Sequence, residues 1–203
     1  LGDNAGAVAV AEARWRTLQG APGAEQALVA LAGSVVPAYG RMLQWDKQHE
    51  YAEHLLVLAE GLGDMGALAG AYVSLGMRYT VIGAPYTGAV CYSTAAGIAR
   101  DHNLPSQLAK TLNNLGILHS DQSRREEARK AYEEALDTYR RLARANPDAH
   151  LPYVAATLNN LAGIEIAQGN LPGAQALLER VLQIRQRVLG SNHVLTAQSM
   201  NNL

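Results

Sequence analysis

Three pairs of asparagines are the residues of this chain best equipped for recognition chemistry. Asn113-Asn114, Asn159-Asn160 and Asn201-Asn202 are each followed by leucine, and the pairs lie 46 and then 42 residues apart. A carboxamide offers two donor hydrogens and an acceptor, so a spaced row of asparagines can pair with a peptide backbone without demanding a sequence. The same groups can instead hydrogen-bond an adjacent copy of the element that carries them and so fix how copies stack. Both roles can coexist within one pair. Lys110 stands one helical turn before Asn113 and is the nearest cation for a carboxylate.

Reaction chemistry has no comparable pattern. No segment matches the glycine-rich phosphate loop that ends in lysine and serine or threonine, and Gly61-Leu62-Gly63-Asp64 reads as a helix end. His49 and His54 are five apart, about 140° around a helix, and no Cys or His pair stands at a metal-ligand interval. Nucleophile elbows of the Gly-x-Ser-x-Gly type are also missing. These readings predict no enzyme, no catalytic residue, no metal and no cofactor. His119 falls on a packing position and His193 caps or braces a turn. The single Cys91 cannot form an internal disulfide and sits in a packed helical setting.

The elements that carry the asparagines repeat with them. Counting from Leu115, the positions Gly116, His119, Ala128, Tyr132 and Ala135 recur from Leu161 as Ala162, Glu165, Ala174, Leu178 and Val181. They recur again from Leu75 as Gly76, Tyr79, Gly88, Tyr92 and Ala95, and from Tyr39 as Gly40, Leu43, Ala52, Leu56 and Ala59. Small residues stay small. Two antiparallel helices approach closely only where side chains leave room, with bulky neighbours filling the rest. Each copy therefore reads as a helical hairpin, and self-similarity at this period marks a solenoid in which a hairpin buries its apolar face against its neighbours.

First helices are expected near 66–81, 105–120 and 152–167, with partners near 48–60, 86–100, 124–144 and 172–188. A further helix is expected at 4–18, and a helical stretch at 24–43 that Pro37 either kinks or opens afresh. Asn146-Pro147-Asp148 reads as a turn and Pro152 as a first-turn helix residue.

With this small-and-large pattern, residues 34–203 resemble the tetratricopeptide repeat family, a helix-turn-helix repeat of ~34 residues. The spacings between anchors are 36, 40, 46 and 42, longer than that standard. Leu189-Gly190-Ser191-Asn192-His193, followed by Ala197 and Asn201-Asn202-Leu203, looks like the signature of the long repeats of kinesin light chains and their bacterial relatives. Val194 takes the place of that subgroup's usual proline. The resemblance implies an all-α, right-handed superhelical solenoid of antiparallel helix pairs. Its repeats would lie near 34–64, 70–101, 110–150 and 156–190, with a partial one at 198–203, after N-terminal helices in 1–33.

Composition agrees with helices. Hydrophobic residues make up 48% of the chain and aromatic ones only 5%, with no Phe, so alanine, leucine and valine must build the core. A sandwich or barrel would ask for β-branched and aromatic residues in period-two runs. Net charge is -1, which gives no global field for nucleic acid or an anionic membrane. Charge collects locally between Arg124 and Arg144, where opposite charges such as Glu126 and Lys130 are four apart, the pattern of a solvated helix face, with a docking surface as the alternative. No apolar stretch reaches the ~20 residues that cross a bilayer, and no secretory leader is visible. A cytoplasmic protein is expected. Fourteen arginines against three lysines suggest a GC-rich bacterial genome. The chain opens on Leu1 and stops as a fifth repeat begins, so a piece of a longer protein is expected.

In the resembled family the first helix of each repeat lines the concave groove and grips extended peptides. Carried onto matching positions, this nominates Asn113, Asn159 and Asn201, with Asn114 and Asn160 beside them and Lys110 as the cation. The implied function is a non-catalytic scaffold for a peptide or partner-protein segment, including another domain of the same longer chain. The alternative implied is the sensor region of a larger bacterial signalling protein, such as a STAND-type ATPase, a transcription regulator or a protease effector, that binds a trigger ligand.

Overall fold

The computed structural model describes residues 4–201, and in them the chain forms ten α-helices with no strand. These are α1 (Asn4–Leu18), α2 (Glu25–Arg41), α3 (Trp45–Leu62), α4 (Met65–Val81), α5 (Pro85–Asp101), α6 (Pro105–Asp121), α7 (Arg125–Ala145), α8 (Pro147–Ala167), α9 (Leu171–Leu189) and α10 (Val194–Asn201). They form two compact units, 1–107 and 108–203.

The turns are built alike. A residue in the left-handed region stands at Leu43, Gly63, Gly83, Asn103 and Ser123, one every 20 positions, and again at Gly169. After each of them the next backbone N–H reaches back five residues, as in Gln44 to the carbonyl of Tyr39 (3.0 Å), Asp64 to Ala59 (2.9 Å), Arg124 to His119 (2.9 Å) and Asn170 to Glu165 (2.9 Å). This closure satisfies the last carbonyls of one helix and reverses the chain within three residues, which makes consecutive helices antiparallel. Asp and Asn side chains cap some of the starts. Asp64 accepts from the N–H of Ala67 (2.9 Å), Asn146 from Ala149 (3.3 Å) and Asn170 from Gly173 (3.2 Å). Each such cap contributes about 1 kcal/mol.

In the N-terminal unit α2 pairs with α3 and α4 with α5, while α1 packs on α2. The core holds Trp15 edge-on to Tyr51, with ring centres 5.2 Å apart, above Leu28, Val35, Val36 and Leu55. A Cβ added to Gly76 of α4 would lie 2.8 Å from the ring of Tyr92 of α5. In the C-terminal unit the same lock recurs between Gly116 of α6 and Tyr132 of α7, at 2.5 Å. Ala52, Ala95, Ala128, Ala135 and Ala162 are wholly buried, so the small positions of the repeat lie where helix meets helix.

Pro37 lies inside a continuous α2, the long-helix alternative of the two expected for it. Asn146-Pro147 begins α8, as N-cap and first helical residue, and Pro152 lies inside that helix. The expected start at Pro152 is therefore corrected to Pro147. An Asn cap followed by a proline that needs no N–H donor is a complete start signal in itself.

Candidate partner-binding face

The C-terminal unit brings three of the nominated residues together across α6 and α8. Asn160 Nδ2 donates to Oδ1 of Asn113 at 3.2 Å. Thr157, fully buried one turn before Asn160, places its hydroxyl 3.3 Å from the same oxygen and 2.9 Å from the carbonyl of Tyr153. It has one proton to give, and the shorter contact claims it. Lys110 extends from α6 over the ring of Tyr153, its Nζ 5.8 Å from the centroid. Tyr153 in turn stacks on Tyr139 of α7, with centroids 5.2 Å apart and rings 11° from parallel. Tyr139 is buried and its phenol is held far above the ordinary range by that burial, so it stays neutral.

The Asn113–Asn160 bond joins the first asparagine of one repeat to the second of the next. It uses one acceptor of Asn113 and one hydrogen of Asn160. The NH2 of Asn113 and the carbonyl of Asn160 take no part in it. Asn114 and Asn159 are half-buried and Asn201 is exposed. None of these three makes a side-chain hydrogen bond to another described residue. Asn202 and Leu203 lie outside the described residues.

A second polar knot fastens the other end of α8. Arg129 of α7 donates to Glu165 Oε1 and to Gln168 Oε1, each at 2.6 Å, while Asn170 Nδ2 donates to Glu165 Oε2 at 2.6 Å. Gln168 returns a bond to Glu126 at 3.1 Å. The Arg129 guanidinium, and then the Asn170 amide, hold the Glu165 carboxyl below its ordinary range. In sequence Glu165 occupies a packing position, and its partner lies 36 residues away, so no local spacing announces the pair.

Burial, then the charge of Arg124, pushes His119 below its ordinary value, and His193 Nδ1 accepts from the N–H of Leu195 at 3.2 Å in the turn before α10. Burial raises the Cys91 thiol. No cluster of His, Cys, Asp and Glu suited to a metal exists among the described residues. In the N-terminal unit Tyr39 donates to Glu12, which Lys47 also approaches at 3.1 Å, a bridge from α1 to α2 and α3.

Comparison with known proteins now decides the family. Tetratricopeptide repeat models match residues 108–148 and again 153–203, which take in most of α6 with α7, and then most of α8 with α9 and α10. Residues 108–148 and 153–203 are tetratricopeptide repeats. A search of curated proteins gave no match. Among solved structures this repeat array is similar to BtubC (BKLC) from P. vanneervenii, with 24% identity over all of this chain and 82% of that one, at a TM-score of 0.79. It is similar to the apo form of RapI, with 13% identity over 99% of this chain and 76% of that one, also at 0.79. A Rap protein complexed with Competence and Sporulation Factor matches with 12% identity over 97% of this chain and 57% of that one, at 0.75. At these identities the likeness is one of fold. No helix among the described residues of the tetratricopeptide array is long and apolar enough to cross a membrane.

Proposed function

We propose that this tetratricopeptide array is a non-catalytic interaction scaffold that holds a peptide or protein segment along the first helices of its C-terminal repeats. The observation that carries this reading is the Asn113–Asn160 bond, which couples two amides on successive first helices and leaves the NH2 of one and the carbonyl of the other outside the pair. A bound strand in extended conformation offers carbonyl and N–H groups that amides can pair with, so recognition follows backbone and tolerates varied sequence. Asn114, Asn159 and Asn201 are the further candidate contacts, and Lys110, braced over Tyr153, would supply the positive charge for a carboxylate of the guest. A Rap protein with a similar fold has been solved in complex with Competence and Sporulation Factor, which supports capture of a partner by an array of this kind.

The test is to pan a displayed random peptide library against the 203-residue chain and titrate the enriched peptides against Asn159→Ala and Lys110→Ala. The reading requires binding to weaken about tenfold or more, the value of one charged or two neutral hydrogen bonds, with melting unchanged. Peptides that bind both variants as tightly as the parent chain would exclude it.

A further inference from the structure

The C-terminal unit contains a hollow of about 500 Å³ between α7, α8 and α9 whose rim is arginine: Arg140 and Arg144 from α7, and Arg180 and Arg187 from α9. Its floor is aliphatic, formed by the buried Val154, Leu158 and Ile184. No carboxylate lines it, in a chain whose acidic and basic residues otherwise nearly cancel.

Helix electrostatics alone explains only half of this rim. Arg144 and Arg187 stand in the last turns of α7 and α9, where a cation complements the helix dipole. Arg180 lies mid-helix, and its contact is a neutral one, to Gln183 Oε1 at 3.1 Å. Arg140 has only Asp137 at 3.7 Å, between two largely exposed side chains, a pairing worth little. Arg140 and Arg144 are also one turn apart on the same helix, a like-charge spacing that opposes helix formation. The charges that would offset this concentration of guanidinium groups are missing from the hollow itself.

We propose that this hollow is a second binding site, for an acidic peptide segment that inserts an aliphatic side chain between flanking carboxylates. The planar guanidinium fork pairs with carboxylate through two parallel bonds, and the floor accepts a Leu- or Ile-sized group. Nucleic acid fits less well, because single strands bind by stacking bases on aromatic side chains and no aromatic residue lines the hollow. Arg140 and Arg144 also line a neighbouring hollow of about 620 Å³, together with Arg141, Glu134 and Asp137, so carboxylates stand there that the first hollow lacks. This site uses second helices and residues of α8 other than Tyr153 and Asn160, so it stands independently of the asparagine row.

The experiment is fluorescence anisotropy on the 203-residue chain with a labelled Glu-Leu-Glu-Glu-Leu-Glu peptide. Its comparison probes are the same peptide with Lys for Glu, a hexaglutamate, and a short oligothymidylate. The first peptide is expected to bind at least about tenfold more tightly than each comparison probe, an advantage weakened by salt. Arg144→Glu with Arg187→Glu should weaken it at least about tenfold and create binding of the lysine peptide, which also reports that the variant is folded. Arg144→Gln with Arg187→Gln should weaken it without that reversal, while Asn159→Ala should leave it unchanged. No saturation with the acidic peptide, equal binding by either arginine pair variant, or hexaglutamate or oligothymidylate binding as tightly as the leucine-bearing peptide would each overturn the proposal.

Discussion

Asn160 of α8 holds the side-chain carbonyl of Asn113 of α6 at 3.2 Å, so two residues that recur in the sequence as a row of like groups act on each other across adjacent first helices. A half-buried amide pair of this kind stabilises by about 1 kcal/mol and loses more when one partner is left alone. Asn113→Ala should therefore lower stability by about 1–2 kcal/mol in urea titration, as should Asn160→Ala, with the double variant less than additive. Full additivity would mean that the two do not couple.

Gly116 admits the ring of Tyr132 where a Cβ would lie 2.5 Å away, and Tyr132 is only 2% exposed. Gly116→Ala gains up to about 1 kcal/mol in helix propensity and meets an overpacking cost of about 1–3 kcal/mol. The ring has no room to retreat, so the clash wins and the variant should melt lower. Gly163→Ala is the control, since nothing lies within 4 Å of its Cβ, and it should melt higher.

Leu43 closes the α2–α3 turn at φ 57 with its side chain 70% exposed, and Ser123 closes the α6–α7 turn at φ 60. An L-residue in that region costs about 1 kcal/mol that glycine does not. Leu43→Gly and Ser123→Gly should each raise stability by about that amount, read as a shift of the urea midpoint at constant slope.

Glu165 has its folded pKa depressed by Arg129 and Asn170, so its contribution is complete above the ordinary value near 4.5 and drains away as pH falls through the lower folded value. Glu165→Gln should destabilise the chain at neutral pH by about 1–3 kcal/mol, the worth of a charged hydrogen bond. Its stability should then fall less steeply than the parent's on acidification below 4.5. Parallel curves would refute this account of the knot.

What is legible in the sequence is local. Gly116, Tyr132 and the buried alanines can be placed because small and large residues at fixed offsets are enough to define a helical hairpin. The turns are half legible: glycine marks Gly63 and Gly83, but Leu43 and Ser123 adopt the same conformation without a residue type that favours it. The start of α8 escapes because Asn146-Pro147 serves equally as a turn or as a cap and first residue, and Pro152, in the second turn, offers a competing boundary. Of the candidate face, the asparagines are visible in the repeat, yet their staggered pairing depends on how α6 lies against α8. Tyr153, Arg129 with Glu165, and the arginine rim lie out of reach for the same reason. Side chains far apart in the chain meet there, and no periodicity encodes the meeting.

The most direct test of the peptide-scaffold reading watches the amides themselves. With the chain labelled with nitrogen-15 and a library-selected peptide titrated in, the side-chain NH2 resonances of Asn113, Asn114, Asn159 and Asn160 should shift progressively and saturate with the peptide. Saturable binding that leaves all four unmoved would contradict it.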